Sequence, residues 1–301
     1  MPDPSAIAHP PAVSLAELSS NAAASLPELT TPPRFGETTF DNYRPQHPSQ
    51  QVVRERCRTF VAAASASSGR RWFWRKARAG EGLYLDGGFG VGKTHLLAAS
   101  YTAFEGEKAY LSFSELVHMI GVLGMAEATA RLGRYRLICL DEFELDDPGN
   151  TLIVKSFLAK VFARGTSVMT TSNTPPEAQG QGRFNAEDFK REIHSLAERF
   201  SVVPVEGPDY RRREALARPL APTELAALLR AESGSSKVAG DWPQLFEVLR
   251  RHHPIRYRAL LAGVDALYLA GAAPIEDQND ALRFVHFVDK LYDRADTSEA
   301  A

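Results

Sequence analysis

The chain has 301 residues, 44% of them apolar, with a formal charge of −2 at neutral pH. That length and composition suffice for one large or two modest cores and exclude a chain too polar to fold. So small a charge excludes a global field for nucleic acid or anionic membranes, and only two cysteines, Cys57 and Cys139, speak against a disulfide framework or a zinc site.

Met1-Pro2-Asp3-Pro4-Ser5 lacks the basic region and apolar stretch of a signal peptide. No apolar run approaches the ~18 residues of a spanning helix. A cytoplasmic protein is expected. Residues 1–33 are rich in Ala, Pro and Ser and bury too little to offset their ordering entropy, which predicts a mobile tail. A short partner-binding helix around residues 15–29 is the alternative. Phe40-Asp41-Asn42-Tyr43-Arg44 then sets aromatics either in the core or beside a nucleotide base. Residues 50–64 read as a helix, with Val52, Val53, Cys57, Phe60 and Val61 near helical spacing. Arg70-Arg71-Trp72-Phe73-Trp74-Arg75-Lys76 is either a nucleic-acid or partner patch or an edge that buries its rings while its charges reach water.

From residue 83 the pattern alternates. Strands are expected at 83–86, 109–113, 137–141, 167–172 and 201–205, and helices at 94–104, 114–123, 150–163 and 186–198, with Ser114 capping the second of these. Such alternation predicts an α/β fold with a mostly parallel sheet covered on both faces. Cys139, inside an apolar strand, reads as a small core residue. Beyond Gly207 comes a charged hinge, Tyr210 to Glu214. After it the pattern is helical only, at 223–231, 242–251, 256–261 and 280–292. The expected division is a tail (1–33), an α/β domain (34–208) and a small α-helical lid domain (209–301).

The chemistry is concentrated at Gly87-Gly88-Phe89-Gly90-Val91-Gly92-Lys93-Thr94, which fits G-x-x-x-x-G-K-[ST] between a strand and a helix. Glycines let the backbone turn tightly and aim its N–H groups at an anion, and the helix N-terminus adds positive potential. Lys93 can reach the β- and γ-phosphates of ATP, and the Thr94 hydroxyl can hold Mg²⁺. Leu137-Ile138-Cys139-Leu140-Asp141-Glu142 reads as a Walker-B strand. Asp141 is its magnesium carboxylate, acting directly or through water, and Glu142 the group that polarises the attacking water. In P-loop ATPases with such an acid pair, the next strand commonly inserts between these two. That places Asn173, at the end of the strand 167–172, beside the γ-phosphate. Arg183 is the candidate for a finger supplied to a neighbouring subunit, with Arg191 and Arg199 as competitors. Arg283, near the start of the last helix, either folds onto the phosphates or pairs with Asp280 or Glu276.

With these residues the chain resembles the ZapE-type ATPases, the cell-division relatives of a mitochondrial AAA-type ATPase family. The similar stretches include Leu140-Asp141-Glu142-Phe143, Phe162-Ala163-Arg164-Gly165-Thr166, Thr171-Ser172-Asn173-Thr174-Pro175-Pro176, Asp209-Tyr210-Arg211 and Val288-Asp289-Lys290-Leu291-Tyr292-Asp293. The resemblance covers roughly residues 35–293. It implies an AAA-type Mg-ATP hydrolase that works as a homo-oligomer, a ring, and remodels a protein client, with FtsZ the client of the division-associated members. The chain departs from the pattern at Glu144 to Gly149, where Pro148-Gly149 is expected to break the usual helix start, and between residues 215 and 240. The lead-in Phe40-Asp41-Asn42-Tyr43 and the run Gly92-Lys93-Thr94-His95-Leu96 also resemble DnaA- or DnaC-like replication ATPases. The absence of a basic DNA-binding module weighs against that alternative.

Overall fold

The computed structural model describes residues 13–15, 26–66, 79–145, 148–175, 195, 197–210, 221–231 and 236–294. The chain divides into two compact units: Leu26–Arg213, and Met1–Ser25 together with Glu214–Ala301.

In chain order the elements are β1 (Val13–Ser14), α1 (Pro48–Ala66), β2 (Gly82–Asp86), α2 (Lys93–Ala103), β3 (Lys108–Ser112), α3 (Phe113–Leu132), β4 (Leu137–Asp141), α4 (Pro148–Ala163), β5 (Ser167–Ser172), β6 (Phe200–Pro204), α5 (Pro222–Ala231), β7 (Lys237–Asp241), α6 (Trp242–Arg251), α7 (Tyr257–Leu260), β8 (Ala266–Ala270) and α8 (Gln278–Arg294). In the larger unit five parallel strands follow the order β3-β4-β5-β2-β6. This is the expected α/β architecture, and the 167–172 strand does insert between the P-loop strand and the Walker-B strand. Every residue of β4 and β5 is buried, because both faces of the sheet are covered. Alternation along β4 sends Ile138 and Leu140 into one core and Leu137 and Cys139 into the other. The first core packs against α3 and α4. The second takes Val53, Cys57 and Val61 from one stripe of α1, and Leu96 and Leu97 from α2. Val52, expected on that stripe, is 62% exposed.

Two local expectations are corrected. The cap of α3 is Ser112, not Ser114: its hydroxyl accepts from the Glu115 N–H while the Glu115 carboxylate accepts from the Ser112 N–H, closing a capping box. Strand β3 therefore ends one residue early. Helix α4 begins at Pro148, so Pro148-Gly149 does not break the helix start; a first-turn proline gives up an N–H that has no partner within a helix.

The smaller unit is not helical only. Strands β1, β7 and β8 form a parallel sheet in that order. The alternation was easy to miss because β7 reads Lys-Val-Ala-Gly-Asp and contributes only Val238 to the apolar core, while its partner β1 comes from the other end of the chain. The opening stretch is likewise not free over its described residues. Val13 and Ser14 pair with Val238 and Ala239, and Leu15 is 1% exposed in a core with Leu245, Leu249, Tyr257 and Phe287. In the larger unit Leu26 and Leu29 pack on the first core, and the Leu29 carbonyl accepts from the Tyr110 N–H at 3.0 Å. Apolar side chains among the prolines supply the contacts that composition alone did not count. Among the described residues, no helix is long and apolar enough to cross a membrane.

Candidate active site

Strand register places the site. Asp86 lies opposite Ser172, and Ser112 opposite Asp141, so the strands end together at one carboxyl edge. In open parallel sheets ligands bind at that edge. The loop from Gly87 to Gly92 leaves β2 there. Gly90 (φ 68°) and Gly92 (φ 92°) take left-handed backbone angles that side chains disfavour. Packing is close at both: a Cβ on Gly90 would fall 1.5 Å from the Asp209 carboxylate, and one on Gly92 would fall 2.8 Å from the Tyr43 ring, so either would have to displace its neighbour. The loop is also held from behind. Val91 O accepts from Tyr43 Oη (3.4 Å) and Gln50 Nε2 (3.3 Å), and Gly90 O accepts from the Tyr210 N–H at 3.0 Å. Phe40 and Tyr43 are both buried in the core behind the loop. Gly92 caps α2 without a side-chain bond, and Phe89 at the loop tip is 63% exposed.

Lys93 opens α2 and is only 8% exposed. Its Nζ donates to Gly87 O at 2.6 Å, Gly88 O at 2.5 Å and Asn173 Oδ1 at 2.9 Å. Three donors meet three acceptors, so the buried ammonium is fully satisfied. Thr94 Oγ1 donates to Asp141 Oδ1 at 3.4 Å. That oxygen also accepts from the Thr171 hydroxyl and, at 3.2 Å, from the Glu142 N–H. Asp141 Oδ2 accepts from the phenol of Tyr110 at 2.7 Å. A hydroxyl and a carboxylate in contact are hard oxygen donors of the kind Mg²⁺ takes, so the residues present fit that ion.

Glu142 is exposed and has φ 55°. The turn has a local cause. The β4–β5 pairing runs to Leu140 and Thr170, and Thr171 then takes Glu142 and Phe143 together. Its hydroxyl accepts from the Glu142 N–H at 3.1 Å and its carbonyl from the Phe143 N–H at 2.8 Å. The Glu142 side chain is thereby released from the sheet while Phe143 enters the aromatic core with Tyr84, Phe113 and Phe200. Glu144 Oε1 accepts from Ser172 Oγ and from the Asn173 N–H, both at 2.9 Å, and so ties the end of β5 to the exit of β4.

The structure thus brings together Lys93, Thr94, Asp141 and Asn173, with Glu142 next to Asp141 in the chain. Arg183, Arg191 and the Arg70–Lys76 patch lie outside the described residues. Arg199 is exposed and precedes Phe200, which pairs with Gly82 at the edge of the sheet opposite the P-loop. In the smaller unit Arg283 Nη1 donates to the carbonyls of Leu249 (3.1 Å) and His252 (3.2 Å) at the end of α6. It does not take Asp280, whose carboxylate is bridged by both arms of Arg250. Sequence reasoning missed Tyr110, Thr171 and Glu144 as site residues. Only the strand register would have pointed to the first two, and Glu144 stood out only as part of a segment that departs from the family pattern.

Fold and glycine loop are those of the P-loop class of α/β proteins. A family model described as AFG1-like ATPase matches residues 20–247, most of the chain. The chain belongs to the AFG1-like ATPase family. "Cell division protein ZapE" of Escherichia coli (strain K12) is 31% identical over 146 residues, 44% of this chain and 38% of that protein. "Lactation elevated protein 1 homolog B" of Danio rerio is 29% identical over 157 residues, 44% of this chain and 31% of that protein. The aligned part of the chain thus spans well under half the length of either relative. Among solved structures, a crystal structure of DnaI is 18% identical and covers 65% of this chain and 100% of that one, with a TM-score of 0.47.

Proposed function

We propose that the chain binds Mg-ATP and hydrolyses it. The observation that carries this reading is the convergence of Lys93, Thr94, Asp141 and Asn173 at one sheet edge beside a glycine loop. In it, the backbone N–H groups of the loop and of the start of α2 cradle the phosphates. Lys93 exchanges its loop carbonyls for β- and γ-oxygens, and Asn173, already on Nζ, lies beside the γ-phosphate. Thr94 and Asp141 would hold Mg²⁺, which would supply neutralisation of the phosphate charge. Glu142, on the turn that leaves the sheet, takes a proton from water as the water oxygen bonds to the γ-phosphorus; the bond to the β–γ bridging oxygen breaks, and ADP and phosphate leave. Arg183 from a neighbouring copy stabilises the transferring charge, which requires a homo-oligomer and fits a ring.

The turnover is coupled to remodelling of a protein client. The likeness to a cell-division protein makes the FtsZ ring the client to test first. Two variants test the chemistry. Lys93→Ala loses ATP binding, while Glu142→Gln keeps binding and loses about 10²- to 10⁴-fold in turnover. Equal phosphate release from wild type and Glu142→Gln removes Glu142 from the mechanism. Co-sedimentation of the Glu142→Gln protein with FtsZ polymers, with and without ATP, tests the client: co-sedimentation that ATP does not change counts against FtsZ.

A further inference from the structure

We propose that Tyr110 is a positioning residue for the magnesium carboxylate: its phenol, donated to Oδ2 of Asp141, fixes the plane in which that carboxylate meets the metal. The inference rests on the Mg-ATP reading and adds a residue to it.

Strand register brings the pair together. Tyr110 lies directly opposite Cys139 in the β3–β4 ladder, and Asp141 is two residues beyond Cys139 on the same face. A diagonal neighbour two residues on lies within reach of a long aromatic side chain. The ring is locked on its other sides. Tyr101 stacks edge-on at 5.9 Å, and the Tyr110 N–H is tied to Leu29. Tyr110 is 3% exposed, in a core formed with Leu97, Leu137 and Cys139. A phenylalanine would fill the same space. A phenol there is desolvated and is tolerated because its hydroxyl has a partner, Asp141 Oδ2 at 2.7 Å.

That bond acts on a soft coordinate. Rotation of an aspartate carboxylate about its last torsion is broad, so donors on one oxygen leave the plane loosely set. Oδ1 of Asp141 already serves Thr94, Thr171 and the Glu142 N–H. The phenol on Oδ2 sets the second point of the plane and keeps Oδ1 turned toward Thr94, the other hard donor. Mg²⁺ demands near-ideal octahedral geometry, so a loosened carboxylate weakens the metal far more than the nucleotide.

The test is Tyr110→Phe in the full chain. Mn²⁺ serves as a paramagnetic stand-in for Mg²⁺, titrated in the presence of a non-hydrolysable ATP analogue and read as free Mn²⁺ by electron paramagnetic resonance. The Mn²⁺ dissociation constant is expected to rise about tenfold, the lower end of what loss of a partner to a metal ligand costs. Affinity for the analogue in EDTA is expected to stay at its wild-type value, while the thermal midpoint falls because a buried carboxylate oxygen loses its donor. An unchanged Mn²⁺ affinity overturns the inference, and a lowered thermal midpoint with unchanged Mn²⁺ affinity overturns it in favour of a packing role. Wild-type protein that holds no Mn²⁺ with the analogue overturns the Mg-ATP reading itself, and this inference with it.

Discussion

Nζ of Lys93 lies 2.9 Å from Oδ1 of Asn173, joining the first residue of α2 to the residue that follows β5. Asn173 is in turn held by its own N–H on Glu144. The side-chain amide is thus held against the Lys93 ammonium. Hydrogen bonds to charged groups contribute about 1.5–3 kcal/mol. Asn173→Ala is therefore expected to lower kcat by about 10- to 100-fold while ATP affinity changes less. Phosphate release and analogue binding measured side by side check this. A fall in affinity with kcat intact shows instead that Asn173 only holds the ground state.

The proposed role of Arg183, acting on a neighbour's nucleotide, requires more than one copy of the chain. Arg183→Ala is expected to bind ATP normally and to lose about 10³ to 10⁵ in rate, the range for such an arginine in other phosphoryl-transfer systems. Mixing sharpens the test. Glu142→Gln subunits keep the arginine but have a dead centre, and Arg183→Ala subunits keep the centre but lack the arginine. Mixed assemblies place good arginines against good centres, so activity partly returns. No recovery, with subunit exchange confirmed by mass, transfers the role to Arg191 or Arg199.

Gly90 combines a positive φ with the Asp209 carboxylate packed over it. Gly90→Ala pays both the left-handed backbone cost, about 1–2 kcal/mol, and the clash. Loss of stability and of nucleotide affinity is expected. In a double-mutant cycle, Asp209→Ala restores the steric part and leaves the backbone part. Strict additivity of the two substitutions counts against the close packing.

His95 stands behind the P-loop, its Nε2 3.2 Å from Thr39 O and 3.1 Å from Asn42 Oδ1. Burial holds its imidazole below the usual range, offset in part by the bond to the Thr39 carbonyl. With the folded pKa below the unfolded value of about 6.5, the unfolded chain binds the proton more readily. The stabilisation is present in full above about pH 6.5 and is lost as pH falls toward the folded pKa. The thermal midpoint of wild type is expected to drop more between pH 7.5 and 5.5 than that of His95→Gln. Parallel curves for the two proteins remove His95 as the cause.

The sequence by itself determined the elements whose signal is local. The glycine loop was legible because its backbone angles admit few residues at Gly90 and Gly92, and because Lys93 and Thr94 must follow at fixed spacing. Strand β4 was legible because burial on both faces turns a strand into an unbroken apolar run, Leu137 to Leu140, ending in Asp141, and β5 because its β-branched Val168, Thr170 and Thr171 favour a strand that ends in the polar Asn173. The place of β5 between β2 and β4 was known only as a habit of this class of ATPase. Tertiary structure alone decided what depends on register between distant strands: that Tyr110 faces Asp141, that Thr171 turns Glu142 out of the sheet, and that Glu144 holds Asn173. It also decided the smaller unit. Strand β7 carries too little apolar surface to announce itself, and it becomes a strand because β1, from the far end of the chain, supplies backbone hydrogen bonds on one side and β8 supplies them on the other. Such pairing energy is not a property of any one segment, so no single segment displays it.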